Sequence, residues 1–146
     1  MTDHIRQLTT VISKEADLAV QLEQLLDKKL EAFICWNKTQ LEQVTAEEET
    51  LIAQFQKLER RRIALLETIS ADCLLDGALL TKNDLGALDE SGELRRQFDR
   101  LHSASTIVKK RNTQNQHLLQ HSLAFVQHTL SVLTNNFQHP LLDHKV

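Results

Sequence analysis

His117, His121 and His128 are the residues whose types and spacing come nearest to chemistry. They stand at i, i+4 and i+11, which brings three imidazoles towards one side of an α-helix. A zinc site asks for further ligands, usually with carboxylates behind the imidazoles. Between Asp99 and Asp143 the chain has no Asp or Glu. The three histidines therefore read as a solvated polar face, and no metal or other cofactor is expected. Cys35 and Cys73 form no CxxC pair. On one helix they would lie roughly 50 Å apart at about 1.5 Å per residue, so no disulfide is expected and a reducing compartment is the default. Arg60, Arg61 and Arg62 beside Glu59, like Lys109, Lys110 and Arg111, read as charged helix faces. No nucleophile–base set and no glycine-rich phosphate loop is visible, so an enzyme reading has little to stand on.

The elements that must position these residues are helical. Only three Gly and one Pro occur in 146 residues, with no Tyr and 4% aromatics. Leu, Gln and Glu abound, a balance that favours helix over sheet. Residues 2–69 read as one long helix, with Thr2 or Asp3 as its cap. Its apolar seam runs from Leu8 and Ile12 through Leu22, Leu26, Leu30 and Ile34 to Leu65 and Ile69, with Glu15, Asn37, Glu48 and Arg62 as polar members. Steps of three and four alternate along it, as in a coiled coil. Between Leu22 and Ile34 every step is four, a stutter at which the supercoil should unwind or the helix bend. Phe33 and Trp36 flank that stutter, as core or as an exposed anchor.

Residues 70–91 break the rhythm. They form a leucine-rich connection with one short helical piece near 82–88, begun by Thr81. Asp89 or Ser91 caps a second long helix over about 92–138, Pro140 stops it, and a short tail follows over 139–146. The whole predicts a single all-α domain over 1–146. Its fold is a long antiparallel helical hairpin, coiled-coil-like, with a short partly helical connection. In that register Glu23 would lie opposite Gln138, and the first turns of helix one would have no partner. They must protrude, fold back at the stutter, or bind something else.

The net charge of −3 is unevenly spread. Residues 1–70 carry 9 basic and 12 acidic side chains, residues 71–92 carry 1 and 5, and residues 93–139 carry 6 and 2. Opposite signs suit the C-terminal segment packing back on the N-terminal one, and the overall acidity argues against nucleic acid as a partner. The start, MTDHIRQLTT, lacks the apolar stretch of a signal peptide, and no apolar run approaches a membrane span, so a cytoplasmic protein without membrane insertion is expected.

Residues 112–142 contain no Asp, Glu, Lys or Arg. A free surface helix usually carries charge, whereas burying an unpaired charge in an interface costs free energy. This stretch therefore reads as a helix meant to be covered. Leu118, Phe125 and Val132 repeat every seven residues, about 100° round from the seam residues that follow them, and make a second apolar stripe. Helix one does the same with Val11, Leu18 and Leu25. A two-helix hairpin covers one stripe per helix, so the doubling asks for a third helix: the folded-back N-terminus, a second copy, or a cargo helix.

The same residues carry a resemblance. VTAEEETLIAQFQKLERRR, Val44–Arg62, and RNTQNQHLLQHSLAFVQHTLSVL, Arg111–Leu133, resemble blocks of the FlgN-type flagellar export chaperones. The second block has Asn112 and Asn115 followed by Leu118, Leu119, Leu130 and Leu133, similar to the family's C-terminal signature. The resemblance implies a type III secretion chaperone. It would hold hook–filament junction proteins in the cytoplasm before export by binding their helical C-termini. The binding surface is then Asn112, Asn115, Leu118, Leu119, Leu123, Phe125, Val126, Leu130, Val132 and Leu133. It implies a monomer or weak homodimer. The family's Gly-rich tail with a Tyr, associated with export-gate docking, has no counterpart here, which leaves Phe137, Leu141 or Leu142 for that role. The competing reading is a structural coiled-coil protein that self-associates permanently.

Overall fold

The computed structural model describes the backbone of residues 2–73 and 82–145 and the side chains of residues 2–73 and 84–134. Among the described residues there are four helices: α1 Thr2–Ile34, α2 Lys38–Asp72, α3 Lys82–Leu88 and α4 Glu93–Lys145. No strand occurs among the described residues. The fold is all-α, with long helices packed in a hairpin-like arrangement. Residues 1–111 and 112–146 are two separate units.

The helix expected over 2–69 is in fact two helices. α1 ends at Ile34, and the chain reverses through Cys35–Asn37. Trp36 takes φ +53°. Its N–H donates to the Phe33 carbonyl at 3.2 Å, and the Asn37 N–H donates to that of Ala32 at 2.9 Å. These are the two bonds of a Schellman helix end, with Trp in the left-handed position where glycine is usual. Asn37 then caps α2 by accepting from the Gln40 N–H at 3.0 Å. A stutter relaxes a supercoil; here the relaxation goes as far as a turn, because helix-end bonds and a cap together satisfy the freed backbone groups.

α1 and α2 are consequently antiparallel neighbours. Lys29 meets Glu48 at 3.1 Å, Arg62 meets Glu15 at 3.5 Å, and His4 meets Asp72 at 3.3 Å. The first part of α4 lies alongside α1. Arg100 pairs with Asp17, and Arg111 reaches Glu23 at 3.0 Å and Asp27 at 3.1 Å. Glu23 therefore faces Arg111, since the fold-back makes α1 run parallel to the first part of α4; Gln138, the partner a simple hairpin would give it, lies outside the described side chains. The charge segregation of the sequence is used in these pairs, although exposed pairs contribute little each.

The core of residues 1–111 gathers Ile5, Leu8 and Ile12 of α1, Leu65 and Ile69 of α2, Leu85 of α3, and Leu94, Leu101 and Ala104 of α4. Leu8, Ile12, Ile69 and Leu94 have no exposed surface. Each such side chain stabilises the fold by about 1.5–3 kcal/mol relative to exposure. The predicted helical piece near 82–88 is α3; Thr81, assigned as its start, lies outside the described residues. At the start of α4 both expected capping residues act. Asp89 accepts from the Leu94 N–H at 2.9 Å and from the Ser91 hydroxyl at 2.7 Å, while Ser91 Oγ accepts from the Glu93 N–H at 3.2 Å. Gly92 between them has φ +72°, a conformation that favours glycine.

Pro140 does not stop the second helix: α4 continues to Lys145. Proline removes the bond from its own nitrogen and crowds the preceding turn, but the amides after it can still bond backwards. Only the bond to the carbonyl of residue 136 is lost, and the helix continues past it.

A charge-free helix as candidate partner-binding site

Within residues 112–146 the segment 112–134 is helix with described side chains. Its sequence explains its form. Gln and Leu, which carry no branch at Cβ, dominate, and no Gly interrupts it. What the sequence does not supply is a cover. Leu119 is 43% exposed, Leu123 52%, Phe125 68%, Leu130 57% and Leu133 46%, with Val126 and Val132 exposed as well. Leu118 and Asn115 are half-buried, and Asn112 is exposed. All ten residues assigned to partner binding thus lie on this one helix, and its large apolar side chains face solvent. Phe137, Leu141 and Leu142, the positions left for gate docking, lie outside the described side chains.

The histidines are on the same helix. His117, His121 and His128 are exposed. Among the described residues no group of three or more His, Cys, Asp or Glu side chains is placed to hold a metal ion. Cys35 is exposed and Cys73 half-buried, and both are free thiols.

One pair escaped the sequence reading. Glu15 and Arg62 are both seam positions, yet in the sequence Arg62 groups with Arg60 and Arg61 as part of a charged face. In the structure Arg62 is three-quarters buried and turns inward, its Nε 3.5 Å from a Glu15 carboxylate that has no exposed surface. Among the described residues neither Glu15 oxygen nor Arg62 Nε has a hydrogen-bond partner. Burial pushes the Glu15 carboxyl from its ordinary 4.5 up to about 7; the Arg62 charge opposes the rise and Glu59 adds to it. The signal that finds the pair is register: Lys29–Glu48 and His4–Asp72 set the pairing of α1 with α2, and positions 15 and 62 are opposite in that same pairing. At the far end of the core, Asp89 is held below the usual carboxylate range, first by the Leu94 N–H and then by the Ser91 hydroxyl. The hairpin turn displays a second apolar feature. Trp36 is 73% exposed and Ile34 61%, and the Trp36 ring stacks on Phe33 with centroids 6.2 Å apart.

Compared with known proteins, the chain matches the family model described as FlgN protein over residues 1–142. No curated protein and no solved structure matches it. Among the described residues no helix is long and apolar enough to cross a membrane.

Proposed function

The chain belongs to the FlgN family, the flagellar export chaperones, and from that premise we propose that it holds the helical C-termini of hook–filament junction proteins in the cytoplasm before export. The observation that carries this reading is the helix at 112–134: it has no charged side chain, and its large apolar residues other than Leu118 lie in solvent. A soluble protein gains nothing from such a face unless a partner covers it. Fully burying one Leu, Val or Phe is worth about 1.5–3 kcal/mol. Several anchors together support micromolar binding after the cost of association. The absence of charge removes the desolvation penalty that a Lys or Glu would bring to the interface. Asn112 and Asn115 mark the N-terminal edge of the surface, and Leu118 to Leu133 form its body.

The test is co-purification with the junction proteins of the same export system, each intact and with its C-terminal helix deleted. Intact cargo should be retained and truncated cargo lost. Retention of the truncated forms would place the contact elsewhere on the cargo and overturn the reading. In parallel, light scattering across a concentration series should show a chain that is largely monomeric when dilute, as a transient binder requires and a permanent coiled-coil assembly does not.

A further inference from the structure

We infer that the partner presents not one helix but two adjacent helices to residues 112–134, their contact faces apolar and uncharged. The inference rests on the cargo-binding reading and adds the architecture of the cargo.

At about 100° per residue, Leu119, Leu123, Val126, Leu130 and Leu133 fall within about 40° either side of one line along the helix. Leu118, Phe125 and Val132 are centred roughly 120° away on one side of it. Together these eight side chains span about half of the circumference, with Ser122 and Thr129 between the two lines. The other half is polar and includes Gln116, His117, Gln120, His121, Gln127 and His128. A single neighbouring helix seals the narrow stripe of a two-helix coil. It cannot reach both lines at once.

The first part of α4 supplies the internal measure. There Leu94, Phe98, Leu101, Ala104 and Val108 cover an arc of only about 120°. That narrower arc already packs against two helices: Ile5, Leu8 and Ile12 come from α1, and Leu65 and Ile69 from α2. A broader arc on the same kind of helix needs no fewer neighbours. A second copy does not meet the need, because a two-fold pair of these helices gives each one neighbour and leaves one line bare. Charge points the same way. With no Asp, Glu, Lys or Arg over 112–134, the facing helices find nothing to pair with, so charges on their contact faces would be buried alone.

The experiment uses the full chain and two probes for each junction protein: the whole protein, and a synthetic peptide spanning only its last helix. Leu123→Glu tests one line and Phe125→Glu the other. Both residues are exposed in the chain alone, so both variants should melt with wild type, which circular dichroism checks. The expected result is a tenfold or greater loss of affinity for whole cargo in each variant. The peptide should bind wild type at least tenfold more weakly than whole cargo and respond to only one of the two variants. A peptide that matches whole cargo in affinity overturns the two-helix partner while leaving the cargo reading intact, as does a Phe125→Glu chain that binds whole cargo normally. Self-association of wild type that Phe125→Glu abolishes assigns the second line to another copy and overturns the inference. If wild type binds no junction protein at all, the cargo reading fails and the inference with it.

Discussion

α1 and α4 carry the same device and meet different fates. Each helix has a coiled-coil seam and a second apolar stripe at seven-residue spacing. In α1 the stripe is covered: Val11 and Leu25 are buried and Leu18 is half-buried. In α4 the stripe of Leu118, Phe125 and Val132 has Phe125 and Val132 in solvent. The covered stripe belongs to a region rich in charge, where Lys29, Glu48, Arg62 and Glu15 pair across the α1–α2 interface. The uncovered one has no charge at all. The contrast teaches that a doubled stripe signals a missing third helix without saying whose it is. Charge content separates the cases. A helix that packs within its own chain can keep charges at its edges, because their partners are always present. A helix that must be covered and uncovered does better with none.

The largest effect should come from breaking the covered stripe. Leu25→Ala should lower stability by about 2–5 kcal/mol, the cost of a buried leucine and its cavity. Phe125→Ala, a larger truncation, should stay within about 0.5 kcal/mol, as surface substitutions do. Urea melts of the two variants measure this difference. Equal losses would show that Phe125 is part of the fold in solution, and the contrast between the stripes would disappear.

A second effect, on the order of 3 kcal/mol at most, should appear as pH dependence and belongs to the covered region alone. Glu15 has a raised pKa in the folded chain, about 7 against an ordinary 4.5. The folded state therefore binds more protons than the unfolded state between those values. Stability from this group is fully present below pH 4.5 and is lost as pH rises through 7. The ceiling follows from about 1.4 kcal/mol per pKa unit. Asp89 and Glu93 act in the opposite sense, with lowered values. Their contribution is present above the ordinary carboxylate range and is lost as pH falls below it. The two windows do not coincide, so stability should rise on acidification from pH 8 to about pH 5 and fall again in stronger acid. Glu15→Gln should remove the rise and leave the fall. Melting curves from about pH 2 to pH 8 are the measurement, and an unchanged rise in the variant would move the titration to another group.

Much of this was legible in the sequence, and the rest was hidden for identifiable reasons. The three-four rhythm read the helical fold, and the alternation of charge foretold that basic residues of α4 would meet acidic ones of α1, as Arg100 and Arg111 do. The reversal at 35–37 was missed because no Gly or Pro marks it, and Trp36 is among the last residues expected with positive φ. Asn37 followed three residues later by Gln40 has the form of a helix start, but inside an unbroken helical pattern Asn37 looked like a polar seam position. From that omission follow the misplaced partner of Glu23 and the unrecognised Glu15–Arg62 pair, since both depend on which residues the turn brings opposite. Pro140 gives a false stop in the sequence, because α4 runs past it to Lys145. The candidate site needed no tertiary information, because the missing charges and the seven-residue repeats are local properties of one helix.

The smallest effect concerns the turn that makes the covered stripe possible, and it has an unusual sign. Trp36 sits at φ +53°. A residue with a Cβ pays roughly 1–2 kcal/mol for that conformation, whereas glycine pays almost none. Trp36→Gly and Trp36→Ala both lose the stacking on Phe33, so comparing the two variants cancels that loss. What remains is the strain, which only Trp36→Gly relieves, less the 0.5–1 kcal/mol or so by which glycine's freer unfolded chain disfavours folding. Trp36→Gly should therefore be the more stable of the two, by up to about 1 kcal/mol. Within an unbroken helix the order reverses, with alanine better by about 1 kcal/mol. Thermal melts of the two variants decide between a turn and a continuous helix. If Trp36→Ala is the more stable, α1 runs on through this point in solution, and the stripe of Val11, Leu18 and Leu25 is then as bare as the one on α4.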